Sequence, residues 1–322
     1  MVLQRAWTQR GLVARLLWPL SVLFGVAAAL RRLLYASGML TAARFPVPVI
    51  VIGNVQVGGA GKTPVVMALV EHLKSHGRQP GVLSRGHGRS QTQTCQEVHA
   101  DSDPALGGDE PVLIRRRCGV PVFVSAERTR AAQALLQAHP QTDVLICDDG
   151  LQHLRLARDV EVVVFDPKGI GNGWLLPAGP LREPWPRKAD LVLSASPSGD
   201  QFAITRRLSD QAFTADGSAV DLSSLIGRPL TAVAAIADPT AFFNMLRARG
   251  LNLTRTVALP DHDRFEAMAF DPGATLICTE KDAVKLWRRR PDALAVPLQC
   301  ELDPAFFTAL DQLLSTHGRQ AT

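Results

Sequence analysis

Seven residues constrain this chain more than any others: Val57-Gly58-Gly59-Ala60-Gly61-Lys62-Thr63. They follow the apolar run Val47-Pro48-Val49-Ile50-Val51-Ile52 and lead into Thr63-Pro64-Val65-Val66-Met67-Ala68-Leu69-Val70, which reads as the start of a helix. A strand, a glycine-rich turn and a helix in that order make a cradle for phosphate. Glycines let backbone N–H groups curl around an anion without interference from Cβ. The helix N-terminus adds about half a positive charge. Lys62 is placed to reach β- and γ-phosphates, and the Thr63 hydroxyl to hold Mg²⁺. The nucleotide is therefore expected along Gln56, Val57, Gly58, Gly59, Ala60, Gly61, Lys62 and Thr63. Two positions depart from the usual pattern. Gln56 stands where a glycine is customary, and Val57 stands where one variant group of ATPase loops carries a second lysine. The competing reading, an ordinary glycine-rich turn, is disfavoured by Gly-Lys-Thr at a strand-to-helix junction.

The formal charge of +5 suggests nucleic acid until it is located. Residues 1–48 hold six arginines (Arg5, Arg10, Arg15, Arg31, Arg32, Arg44) and no acid, which leaves the remainder near −1. That remainder has no basic stripe interleaved with aromatics, so nucleic acid is not an expected partner. The same segment is apolar from Leu16 to Leu30, flanked by Arg15 and by Arg31-Arg32. Fifteen helical residues reach ~22 Å, short of a ~30 Å hydrocarbon layer. Extension through Leu33, Leu34 and Met39 permits a span if Arg31 and Arg32 snorkel. Trp7, Trp18 and Tyr35 suit the headgroup boundary. A cleaved signal peptide and a buried soluble helix compete with an uncleaved helix lying in or through the membrane, and the last fits best. The five cysteines (95, 118, 147, 278, 300) form no Cys-x-x-Cys pair, and no histidine cluster at metal-ligand spacing is evident. They read as reduced thiols of a cytosol-facing protein.

Past residue 46, apolar runs alternate with helical patterns. Strands are expected at Val47–Ile52, Pro80–Leu83, Pro121–Val124, Asp143–Cys147 and Val160–Phe165. Helices are expected after Thr63, over Asp109–Arg117 and over Arg128–Ala138. This rhythm predicts an α/β fold with a mainly parallel, P-loop NTPase-like sheet. A Gly/Pro-rich loop, Pro167–Pro186, follows. Ala203–Arg207 and Ala212–Thr214 read as a hairpin or linker. A second α/β rhythm then runs through Leu230–Ile236, a helix over Pro239–Arg249, Thr254–Leu259 and Ala274–Cys278. The expected organisation is a membrane-anchoring helix over 1–46, a core over 47–225 and a smaller α/β domain over 226–322.

Thr142–Cys147 is an apolar run ending in Asp148-Asp149. Adjacent like charges repel, so the doublet makes most sense beside a cation, although Asp-Asp-Gly is also an ordinary turn. Gly108-Asp109-Glu110-Pro111 puts two acids at a loop-to-helix junction, where Asp109 could cap the helix or accept a proton from an attacking hydroxyl. His262, between Asp261 and Asp263, could orient or share the proton of a catalytic acid. Thr279-Glu280-Lys281-Asp282 reads as a capped helix start.

Taken in order, seven blocks resemble the tetraacyldisaccharide 4′-kinase family. They are Gly53-Asn54 with Val57–Pro64; Ser84-Arg85-Gly86-His87-Gly88-Arg89; Gly108–Pro111; Asp148-Asp149-Gly150-Leu151-Gln152-His153; Leu176–Glu183; Pro260-Asp261-His262; and Thr279–Lys285. The resemblance spans nearly the whole chain. It implies a P-loop kinase core joined by a two-stranded linker to a smaller α/β domain, with the active site in the cleft between them. It implies as substrates ATP with Mg²⁺ and an acylated glucosamine disaccharide 1-phosphate, phosphorylated at the 4′-hydroxyl on the inner leaflet of the Gram-negative inner membrane to give lipid IVA for lipopolysaccharide. It implies Lys62 and Thr63 for ATP and Mg²⁺, Asp109 as general base supported by His262, and Asp148, Asp149 and Glu183 around the metal. Arg85, Arg89 and Arg182 are implied partners of substrate or nucleotide phosphates. The main rival is a membrane-associated P-loop ATPase or switch acting on a protein partner. It is disfavoured by the absent lysine at 57 and by the lack of a guanine-reading Asn/Thr-Lys-x-Asp strand.

Overall fold

The computed structural model describes residues 7–58, 61–167, 169–271 and 273–318. Arg5, Gly59 and Ala60 lie outside the described residues. The first described element is helix α1 (Leu12–Ala36), followed by strand β1 (Val49–Gly53), α2 (Lys62–Ser75), β2 (Pro80–Ser84), β3 (Gln96–Val98) and the short α3 (Pro104–Gly107). Next come α4 (Asp109–Cys118), β4 (Val122–Val124), α5 (Arg128–Ala138), β5 (Val144–Asp148), β6 (Val160–Val164), β7 (Leu191–Ser194) and β8 (Phe202–Leu208). The remainder is β9 (Gln211–Phe213), β10 (Ala219–Asp221), β11 (Leu230–Ala234), α6 (Pro239–Ala248), β12 (Leu253–Ala258), β13 (Thr275–Thr279), α7 (Glu280–Leu286), β14 (Leu294–Val296), β15 (Leu298–Leu302) and α8 (Pro304–Gly318).

A nine-stranded sheet has the order β15-β8-β7-β6-β1-β5-β2-β4-β3, and a six-stranded sheet the order β10-β9-β14-β13-β11-β12. In the large sheet only the edge strands β3 and β15 pair antiparallel. Its central strands are apolar on both sides because helices cover both faces. Alternate residues of β1 show the division. Ile50 and Ile52 pack with α2, α4 and α8, whereas Val49 and Val51 pack with α5 and Leu181.

The chain leaves the large sheet between β8 and β9 and returns between β14 and β15. Residues 203–207 therefore do not form a hairpin with 212–214. Residues 204–208 pair with 298–302 instead, and these two strands are the linker. The second sheet accordingly begins at Gln211, ahead of the expected cut near 225. The end of the chain belongs to the first lobe, because Phe306, Leu310 and Leu314 of α8 complete the core around Val65, Val66 and Leu69. His72 Nε2 lies 3.0 Å from Asp311 Oδ1, tying α2 to α8. His76 completes a His-His-Asp group, which corrects the expectation of no histidine cluster at metal-ligand spacing: His72 and His76 stand four residues apart along α2 and its cap, and Asp311 joins them through the fold.

Helix α1 runs without a break through Arg31-Arg32 to Ala36. Its 25 residues span ~37 Å, and its mean hydropathy of 1.9 makes it long and apolar enough to cross a membrane. It touches the body along one narrow stripe. Ala14 and Ser21 are buried, the Ser21 hydroxyl donates to Leu175 O at 2.8 Å, and it accepts from Ala178 N at 2.9 Å. Leu12, Leu16, Trp18, Leu20, Leu23 and Leu33 are exposed. An apolar face of this extent is consistent with membrane association. All five cysteines are free, and Cys118, Cys147 and Cys278 are buried.

Candidate active site

Strands β1 and β5 lie side by side and parallel, with Ile52 opposite Asp148. The turn after β1 and the acids after β5 therefore emerge together at the carboxyl edge of the sheet, where α/β proteins bind ligands. Gln56 and Val57 do not belong to the curl of the turn. Gln56 pairs with Leu181 and Val57 N donates to Pro180 O at 2.9 Å, so the chain is still strand-like there. An extended residue has no need of glycine, which accounts for Gln56. Gly61, with φ of +63°, is in the left-handed region at the start of α2. An added Cβ there would stand 2.8 Å from Arg206 Nε, the end of a flexible side chain that can shift, so it is the left-handed φ that calls for glycine. Lys62 Nζ lies 3.3 Å from Asn54 Oδ1 and 3.3 Å from Asp149 Oδ1. Thr63 occupies the first turn of α2.

The two acids differ. Asp148 is 2% exposed and its Oδ1 has no hydrogen-bond partner among the described residues. Burial, then the negative charge of Glu110, pushes its carboxyl up to about 7 against the pull of Lys62. Burial also raises the Asp149 carboxyl, but Lys62 and Arg182 outweigh it and hold the group below its ordinary value. An orphaned, destabilised oxygen beside a paired carboxylate is what a divalent cation would relieve, so this donor set fits Mg²⁺. Glu183 is already engaged. Its Oε1 accepts from Gln152 at 2.6 Å, and its Oε2 lies 3.4 Å from Arg32 and 3.0 Å from Arg187. Arg182 reaches Asp149 at 3.4 Å and Gln152 at 3.1 Å. A polar chain thus runs from the end of α1 to Lys62.

Across the cleft, Asp109 begins α4. Gly108, with φ +89°, lets the backbone pass close to Gly86, where a Cβ would stand 2.9 Å from Gly86 Cα. That approach sets Asp109 beside the loop 86–89. Asp109 is buried, and Oδ2 lies 2.8 Å from Lys285 Nζ and 3.1 Å from His262 Nδ1. Burial favours the neutral acid, yet His262 and Lys285 together hold the carboxyl below its usual range. A carboxylate only accepts, so His262 Nδ1 carries the proton of this bond. His262 (φ +65°) and Phe265 (φ +60°) are both left-handed, a strained loop of the sort found where a side chain must be aimed. Next door, Lys281 Nζ bridges Glu110 at 3.1 Å and Asp261 at 3.4 Å. Helices α4 and α7 pack together across the lobes.

The arginines divide. Arg85 is exposed at the loop after β2. Arg89 is 4% exposed, its Nη2 donates to Thr92 O and Thr94 O at 2.8 Å, and its Nε and Nη1 have no partner among the described residues. Desolvation lowers its pKa. Arg182 is committed to Asp149. Asn54, Gln152 and Lys285 were visible in the sequence blocks without a role. Their function lies in contacts 8, 31 and 176 residues away, to Lys62, Glu183 and Asp109. A lysine three residues after Asp282 on a short helix was the only hint of Lys285.

A turn of this kind closes on phosphates, and hydrolysis alone gives no use for a carboxylate of the same lobe clamped by His262 and Lys285 from the other. The combination defines a kinase of the P-loop class. A family model described as tetraacyldisaccharide-1-P 4′-kinase matches residues 13–315. This chain belongs to that family. Among its relatives, tetraacyldisaccharide 4′-kinase of Acidovorax sp. (strain JS42) is 58% identical over 98% of this chain and 94% of its own. The protein of the same name from Azoarcus sp. (strain BH72) is 47% identical over 97% and 95%. A crystal structure of LpxK from Aquifex aeolicus in complex with ATP superposes with a TM-score of 0.83 at 28% identity, covering 94% of this chain and all of that one.

Proposed function

We propose that this chain transfers the γ-phosphoryl group of ATP to the 4′-hydroxyl of tetraacyldisaccharide 1-phosphate, giving lipid IVA for lipopolysaccharide. One observation carries the geometry. Strand β2 pairs parallel with β5, Leu83 opposite Cys147, so the loop after β2 that Gly108 packs against leaves the same carboxyl edge as Asp148-Asp149, which supports one cleft holding both ends. Gln56 to Thr63 line the nucleotide, with the backbone of the turn and Lys62 neutralising phosphate charge. Thr63, Asp148 and Asp149 would hold Mg²⁺, which when bound supplies further charge neutralisation on the phosphates. Glu183, bound by two arginines and Gln152, orients that shell. Asp109 accepts the proton of the acceptor hydroxyl, and His262 fixes its orientation. Arg85, exposed at the loop after β2, and Arg89 on the same loop are the substrate-phosphate partners we favour. Arg182 acts through Asp149.

The exposed face of α1 gives the enzyme its place, on the cytoplasmic face of the inner membrane, where its acylated acceptor resides. The exposed Arg15 and Arg31 add about 1 kcal/mol each on an anionic surface, whereas Arg32 is engaged with Glu183 and Arg10 with Asn172 O. Deleting residues 1–40 should release the protein from vesicles in a sedimentation assay. A truncated protein that still sediments fully overturns the anchoring role. The activity itself is tested by incubating purified full-length protein with labelled ATP, Mg²⁺ and the disaccharide 1-phosphate lipid. Label should appear in a bis-phosphorylated lipid. ATP hydrolysis without lipid labelling would instead favour the P-loop switch.

A further inference from the structure

We propose that Lys285 is a positioning residue for this transfer: with His262 it clamps one oxygen of Asp109, Oδ2, so that the other, Oδ1, is presented to the acceptor hydroxyl. The inference rests on Asp109 as the general base. Lys285 Nζ at 2.8 Å and His262 Nδ1 at 3.1 Å converge on the same oxygen. A carboxylate is free to turn about its Cβ–Cγ bond, and two donors on one oxygen fix that turn. They also use up the lone pairs of Oδ2, leaving Oδ1 as the better proton acceptor.

Lys285 is placed for this and little else. Its side chain is 8% exposed, and its ammonium also faces the ring of Phe265 at 5.4 Å and Asp282 Oδ1 at 3.9 Å. A lysine that deep needs a partner, and the near one is Asp109. The groups around Asp109 are Glu110 on α4 itself, Lys281, Asp282 and Lys285 on α7, Asp261 and His262 on the loop after β12, and His87 on the loop after β2. The His87 ring centroid is 5.0 Å from that of His262. Of all these, only Lys285 and His262 reach Asp109 among the described residues, and both belong to the second lobe. The base is thereby complete only when the lobes meet.

The test compares kcat/KM against pH, from 5 to 9, for wild type, Lys285→Met, Lys285→Arg, Asp109→Asn and the Asp109→Asn/Lys285→Met double variant. The enzyme is full-length and in detergent, supplied with magnesium, ATP and the lipid. Without the ammonium only His262 opposes burial at Asp109, so the acid limb should move up and the loss should deepen as the pH is lowered from 8 to 5. Lys285→Arg should keep the wild-type limb, KM for ATP should not change, and Lys285→Met should add nothing in the Asp109→Asn background. A pH-independent loss, a shifted limb in Lys285→Arg, or a loss that multiplies with that of Asp109→Asn would overturn the proposal. Wild-type turnover by Asp109→Asn would overturn the base assignment as well, which separates the two failures.

Discussion

The two ends of this cleft are built in opposite ways. At the phosphate end, Lys62 bonds to Asn54 eight residues away, and the acid pair arrives on the strand next to β1 in the same sheet. At the acceptor end, Asp109 meets partners 153 and 176 residues away that are mounted on a different sheet. One end is a property of a single sheet edge. The other exists only through contact between lobes. On the proposed roles, nucleotide binding and acceptor activation should be separable by mutation.

The largest separation should come from Asp109→Ala. Loss of a positioned base is worth about 10²–10⁴ in kcat, while the affinity for ATP should stay near wild type. A fall in ATP affinity of similar size would place Asp109 at the metal instead. Lys62→Ala strikes the other end. Removing one preorganised donor should lower kcat by roughly 10²–10³, and nucleotide binding measured by calorimetry should weaken with it. If Lys62→Ala binds ATP as tightly as wild type, the phosphate end is misassigned.

The same contrast explains what could be read from the sequence. The positions of Gly61-Lys62 at the start of α2 and of Asp148-Asp149 at the end of β5 were legible because each motif is short and sits at a strand end, where spacing alone fixes geometry. The parallel core was legible for the same reason: runs such as Val144–Cys147 are apolar on both sides. Strand β15 was not. Leu298–Leu302 pairs with Ile204–Leu208 across some 90 residues of intervening chain, and no local pattern announces that return. Strands of three residues such as β3 and β14 carry too little alternation to be seen. Among site residues, Asp109 and His262 could be named only as candidates, and Lys285 not at all, because a buried ammonium looks like any helix lysine until its carboxylate is found.

A subtler difference lies between the two neighbouring acids. The Asp148 carboxyl is pushed up to about 7 from an ordinary 3.8. Below about pH 4 both folded and unfolded chains hold this proton. Between there and about 7 the folded chain keeps a proton that the unfolded chain has lost, so this group's contribution to stability falls as pH rises. Asp148→Asn removes the charge and should stabilise the magnesium-free protein at pH 8 by roughly 1–3 kcal/mol, with little change at pH 4. The same variant should lose the thermal stabilisation that Mg·ATP gives the wild type. Equal melting shifts at pH 8 and pH 4 would mean that Asp148 is not strained by its charge.

The smallest effect probes the contact between lobes itself. Arg117 Nε on α4 lies 3.3 Å from Glu280 Oε1 on α7, with Arg117 43% exposed and Glu280 12%. A pair open to water on one side is worth only ~0.2–1 kcal/mol, so Arg117→Ala should shift the melting temperature by a few degrees at most. Burial already pushes the Glu280 carboxyl up, and Arg117 opposes it. Losing Arg117 therefore favours a neutral Glu280 and a looser seam beside Asp109. Because Lys285 and His262 reach Asp109 across this seam, turnover on lipid should fall by up to about fivefold while the dissociation constant for ATP holds. A matching loss of ATP affinity would show that the lobe contact supports the phosphate turn as well, and the two ends would then have to be treated as one unit.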